Sequence, residues 1–76
     1  NYIVVWEDLR NGDADIYAAR VTTEGEVVEA DGIPVMVKEY GQVDPSVAYG
    51  GGQFLMSWTD YGVSNTRNLW VGRLQF

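Results

Sequence analysis

The sequence predicts an all-β repeat fold, and three observations predict it. The first is a duplicated run. Tyr2-Ile3-Val4-Val5-Trp6-Glu7-Asp8 returns as Phe54-Leu55-Met56-Ser57-Trp58-Thr59-Asp60. Both copies read aromatic, aliphatic, aliphatic, small or branched, Trp, polar, Asp. The second is a further match after each run and an intervening loop. Asp15-Ile16-Tyr17-Ala18-Ala19-Arg20-Val21 answers Asn68-Leu69-Trp70-Val71-Gly72-Arg73-Leu74. Tryptophans at 6 and 58 are offset by 52 residues, arginines at 20 and 73 by 53. A long period built from short strand-like units marks a repeat architecture. The third is the lack of a convincing helical period in any segment.

The elements follow in order. Tyr2 to Asp8 is apolar on both of its alternating sides, which predicts a strand buried on both faces within a stack of sheets. Leu9 to Ala14 is a turn centred on Asn11-Gly12, a pair that tolerates the positive φ of a tight hairpin. Asp15 to Val21 returns as the antiparallel partner. Its Ala18-Ala19, matched by Val71-Gly72, lets a neighbouring sheet approach. Thr22 to Gly25 turns, Glu26 to Glu29 is a polar extension, and Ala30-Asp31-Gly32 turns again. Ile33 to Val37 carries Pro34, which cannot donate to a central ladder, so this strand belongs at a sheet edge, guarded by Lys38 and Glu39. Tyr40 to Asp44 is a loop, Pro45 to Tyr49 a short strand of small residues, and Gly50-Gly51-Gly52 a turn into the second copy. That copy runs from Gln53 to Asp60, followed by the loop Tyr61 to Arg67 and the closing strand Asn68 to Phe76.

One repeat thus holds a small inner strand, a Trp-ending strand, its hairpin partner and a Pro-bearing edge strand. Four antiparallel strands in about 50 residues is the blade of a β-propeller. The chain therefore reads as about one and a half four-stranded antiparallel blades of an incomplete propeller. Residues 1–44 form a blade lacking its inner strand, and residues 45–76 a blade lacking its outer one. Propellers have about 4–8 blades, so further blades of the same polypeptide, or other copies of the chain, are the expected partners. A six-stranded sandwich is the alternative; it would need one wet face per sheet, which Tyr2 to Trp6 does not offer.

Val5-Trp6-Glu7-Asp8, Asn11-Gly12, Asp15 to Val21, Gly25 and the link Gln42 to Tyr49 together resemble the tandem repeats of large secreted or cell-surface bacterial and archaeal proteins. Those repeats have the form P-S-V-A-Y … W-x-D … D-I-Y-A-x-R-V … G, and the resemblance implies propellers related to the TolB and WD-repeat types. It covers nearly the whole chain. The second copy departs from the pattern, because Ser57-Trp58-Thr59-Asp60 lacks the acid before Asp and Tyr61 to Arg67 lacks the Asn-Gly turn. What the resemblance implies is an extracellular or cell-surface setting.

Composition narrows the function classes. The chain has 76 residues, a net charge of −6, and neither Cys nor His. Disulfides and ordinary zinc sites are excluded. Five basic residues, scattered singly, argue against a nucleic-acid partner. No apolar run reaches the ~18 residues of a membrane span. Ser46, Ser57 and Ser64 have no His to activate them, and Gly50 to Gly52 leads into a strand, so no helix N-terminus cradles phosphate there. Asn11, Asp13 and Asp15 alternate as N-x-D-x-D, oxygen ligands that could wrap a calcium ion. Against this, Ile16 and Thr22 stand where an EF-hand loop needs Gly and an acid. Tyr40 and Tyr61, in loops outside the repeated pattern, are the candidate ligand contacts. The expected function is a non-enzymatic extracellular scaffold or binding module for protein or glycan, within a larger propeller. Two alternatives stand beside it: a structural subunit assembling by strand-edge pairing into an oligomer or filament, and a segment of a propeller glycosidase or peptidase.

Overall fold

The structure, a computed structural model, describes residues 1–62 and 67–74. Among them are six strands and no helix: β1 (Tyr2–Asn11), β2 (Asp13–Val21), β3 (Ile33–Met36), β4 (Gln42–Gly50), β5 (Gln53–Tyr61) and β6 (Arg67–Leu74). They form two three-stranded antiparallel sheets, β1-β2-β3 and β4-β5-β6. The all-β expectation holds. The count is three strands per sheet, not four. Among the described residues, the first sheet has no counterpart of β4 and the second none of β3. Ser64, the middle of the Tyr61–Arg67 loop and the last two residues lie outside the described residues.

Local chemistry explains the boundaries. The expected turn over Leu9 to Ala14 is mostly strand, because one glycine closes the hairpin. Gly12 adopts φ 103° and donates its N–H to the Leu9 carbonyl at 3.0 Å. Asn11 then faces Asp13 across it, after a register shift beyond Asp8. β4 starts at Gln42, ahead of the expected Pro45. The extra length is gained through a bulge between Val43 and Ser46, which holds Asp44 at φ 53° and Pro45. A residue without an N–H fits where the ladder is already broken. Pro34 lies in the edge strand β3, opposite Tyr17, as its chemistry requires.

Side chains alternate along each strand, so each sheet has two faces. Val5, Ile16 and Ala18 share the face of the first sheet turned to the second. Met56 and Trp58 share the facing surface of the second sheet. Ile16, Met56 and Trp58 form the buried core, with Val5, Val35, Met36 and Val47 packed around them. β4 lies across β1 and β2.

The aromatic pairs repeat with the sequence. Trp6 lies opposite Tyr17 with ring centroids 6.4 Å apart, and Trp58 opposite Trp70 at 6.5 Å. Their placement differs. The Trp58 pair faces the first sheet, whereas the Trp6 pair lies on the first sheet's far side, under Gly32. At φ 79°, Gly32 leaves room for the indole only because it has no Cβ; a Cβ there would stand 2.7 Å from Trp6 Cζ2.

Burial on both faces of Tyr2 to Trp6 does not occur. Tyr2 is 63 % exposed and Val4 45 %, while Ile3 and Val5 are half-buried. The physical reason is that only one face of the first sheet has a second sheet against it. The second sheet mirrors this, with Leu55, Leu69 and Val71 exposed on its far side.

Candidate functional site

The loop ends of β1 and β5 carry the two repeated aspartates, and the two are held differently. Asp8 is gripped by its own strand. Arg10 donates Nε to Oδ1 and a terminal guanidinium nitrogen to Oδ2, each at 2.8 Å. The Arg10 backbone N–H and the Trp6 indole N–H add bonds at 3.0 Å. These donors, the Arg10 side chain foremost, hold the Asp8 carboxyl well below the usual carboxylate range. Arg10 in turn lies over the Tyr17 ring, 4.0 Å from its centroid.

The structure brings together two members of the expected calcium triad. Asn11 Nδ2 donates to Asp15 Oδ2 at 3.2 Å, and Asp15 Oδ1 accepts the Lys38 N–H at 3.3 Å. Asp15 is buried, while Asp13 is exposed on the far side of Gly12. No group of three or more Asp, Glu, His or Cys residues is placed to hold a metal among the described residues.

Around Asp60 lies a cluster that joins the two sheets. Asp60 is buried, and its Oδ2 sits 3.2 Å from Lys38 Nζ. Lys38 also lies 4.6 Å from the centre of the Trp70 ring. Gln42, fully buried, donates Nε2 to the Glu39 carbonyl at 3.3 Å and to Asp60 Oδ2 at 3.5 Å. Two buried atoms have no hydrogen-bond partner among the described residues: Gln42 Oε1 and Trp58 Nε1. The indole of Trp6 finds Asp8, but Trp58 finds nothing equivalent, while the Asp60 carboxylate is engaged by Lys38 and Gln42.

Tyr40 and Tyr61, the expected ligand contacts, both adjoin this cluster. The Tyr61 N–H donates to the Gly41 carbonyl at 3.0 Å, and Arg67 stands over the Tyr61 ring at 5.5 Å. Tyr40 is exposed and holds a left-handed backbone, φ 78°. With Lys38, Glu39 and Gly62 it lines an open cleft of about 360 Å³. Left-handed backbone at a bulky residue is strained, and such strain gathers at functional positions. The surface is suited to contact through aromatic faces, a hydroxyl and one cation. Asp60, the buried carboxylate beside it, is engaged by Lys38 and Gln42.

Sequence reasoning missed Lys38, Gln42 and Trp70 as parts of this cluster. Lys38 carries the signature of an edge guard, and its reach to Asp60 depends on how the sheets stack. No local pattern marks Gln42, the first residue of β4, as fully buried. Comparison of the chain with protein-family models, curated proteins and solved structures finds no significant match in any of the three.

Proposed function

We propose that the chain is a non-enzymatic scaffold or binding module, built as consecutive repeats of a larger β-propeller in an extracellular or cell-surface setting. One observation carries this reading. The second sheet lays its Trp-bearing face on the face of the first sheet that is opposite the first sheet's own Trp. Equivalent units are thus stacked front to back. A heterologous contact of this kind repeats with the next unit until a ring closes or a filament grows. One front face, with Tyr2 and Val4, and one back face, with Leu55, Leu69 and Val71, remain exposed for such neighbours. A rigid stack displays its loops at the strand ends, and Tyr40, Lys38 and Trp70 there supply a contact surface for a protein or glycan.

The test uses the repeat itself. Asn1 corresponds to Gln53, so residues 1–52 form one permuted repeat. Polypeptides carrying one, two or more extra copies of residues 1–52 ahead of the chain are compared by thermal unfolding and small-angle scattering. Each added copy is expected to raise Tm, with a ring-shaped particle once the circle closes. A Tm independent of copy number, with scattering from beads on a string, would overturn the reading.

A further inference from the structure

The turn that closes the β1–β2 hairpin places a nucleophile next to an electrophile. Asn11 is followed by Gly12, and both are exposed. A main-chain nitrogen that follows Asn can attack the side-chain amide before it, and Gly offers the least hindered approach because it has no Cβ. Among the described residues no atom lies within 4 Å of the Gly12 Cβ position, so the segment has room to rearrange. Two sets of hydrogen bonds oppose the attack in the closed hairpin. The nucleophile is engaged, because the Gly12 N–H donates to the Leu9 carbonyl at 3.0 Å. The target is held on β2, where Asn11 Nδ2 donates to Asp15 Oδ2 at 3.2 Å and to the Tyr17 hydroxyl at 3.4 Å. Asp15 and Tyr17 are buried, so the core fixes both acceptors.

We propose that Asn11 is a site of spontaneous deamidation, guarded by its hydrogen bonds to Asp15 and Tyr17, and that its conversion is a one-way switch that loosens the turn end of the hairpin. The reaction runs when that end frays, a local opening that leaves the core closed. Gly12 N bonds to Asn11 Cγ and gives its proton to solvent. The Cγ–Nδ2 bond breaks, and the amide nitrogen takes a proton from water and leaves as ammonia. Water then adds to either carbonyl of the cyclic imide, opening it to aspartate or isoaspartate at position 11. Nothing is oxidised or reduced, and the ammonia is lost to solvent, so the change does not reverse. Either product removes the guard. Aspartate sets a carboxylate where the donor amide stood, against the buried Asp15 carboxylate, and like charges that close repel. Isoaspartate routes the main chain through Cγ and cannot keep the register of position 11 with Asp13. Asp15 also accepts the Lys38 N–H at 3.3 Å, so the disturbance reaches the link between the two sheets. The switch does not depend on the repeat reading.

The intact chain is incubated in mildly alkaline buffer, folded and in guanidinium chloride, and position 11 is followed by peptide mass mapping with a separate assay for isoaspartate. Conversion is expected in both, about tenfold or more slower in the folded chain, because ring closure waits for the local opening. Tyr17→Phe removes one acceptor and should raise the folded rate, with the rate in guanidinium chloride unchanged. Amide exchange at Ile16 and Ala18 should match wild type in that variant; equal acceleration there would trace the rise to global unfolding and overturn the guard. In Asn11→Asp the Gly12 amide should exchange faster than in wild type. In Asn11→Asp/Asp15→Asn, where donor and carboxylate have changed places, its protection should return. If Asn11→Asp does not fold, the double variant decides, and its failure to fold as well would overturn the switch. So would a folded chain that stays unconverted while the unfolded chain is consumed, equal rates in the two conditions, a folded rate unchanged by Tyr17→Phe, or wild-type exchange at Gly12 in Asn11→Asp.

Discussion

Asp8 and Asp60 occupy the same position in the two copies and are stabilised by different partners, which makes them separable by experiment. Asp8 has its pKa depressed by Arg10 and Trp6, so its ionised form stabilises the fold above the ordinary aspartate pKa of about 3.9. That contribution is lost as pH falls below this value. In Asp8→Asn, Tm is expected to be lower than wild type at pH 7, and the gap should narrow as pH falls below about 4 and close only well below about pH 3. The gap should narrow in high salt, because this pair is at the surface. A gap independent of pH would show that the carboxylate charge is not the cause. Glu29, lowered in the same sense by Arg20, leaves some acid sensitivity in both proteins. Asp60 depends on Lys38, which lies in the link between β3 of the first sheet and β4 of the second. Lys38→Met leaves a buried carboxylate without its cation and should cost on the order of 2 kcal/mol in urea unfolding. The double variant Lys38→Met/Asp60→Asn should recover much of that loss, and a strictly additive result would exclude the pairing. The matching positions of the two aspartates are legible in the sequence. Their partners are not, since Arg10 is two residues away but Lys38 is reached only through the stacking of the sheets.

At the scale of the element, the strands were legible because alternation and glycine punctuation are local. Gly12, Gly51 and Pro34 act where the pattern places them. The number of strands per sheet and the burial of each face were not legible, because an apolar strand reads the same whether its neighbour is present or not. Val4 and Met56 make this measurable. Both sit in the middle of a Trp-ending strand, and only Met56 is in the core. Met56→Ala should destabilise by about 2–5 kcal/mol. Val4→Ala should cost under about 1 kcal/mol, in the range of substitutions away from a packed interior. Equal costs would mean that the two faces of the stack have been assigned wrongly. The bulge at Asp44-Pro45 escaped sequence reasoning for a different reason. A proline in an apolar run signals a broken ladder, but not whether the strand stops there or continues past it.

The whole molecule is a slab, 43 × 29 × 15 Å, with two sheets and apolar residues on both outer surfaces. For a chain of this size, that distribution leaves much of the apolar surface in water. Leu69 is the clearest case at 76 % exposed, where its counterpart Ile16 is at 0 %. Leu69→Lys should therefore alter stability by no more than about 0.5 kcal/mol. It should also reduce light scattering in concentrated solution. A large loss of stability would show that this face is already covered. The sequence carries the repeat that makes the comparison of Leu69 with Ile16 possible, but no information on which of two equivalent faces finds a neighbour.

The connections have a further consequence, in the order of events during folding. One glycine joins β1 to β2, and two glycines join β4 to β5. Among the described residues, every strand pairs within its own contiguous stretch of chain, and no strand of one sheet is inserted into the other. Loop closure for such hairpins is entropically cheap, and local pairing is fast. Each sheet can therefore nucleate by itself as it leaves the ribosome, without waiting for the other. The docking of Met56 and Trp58 onto Ile16 is then the step that brings distant parts of the chain together.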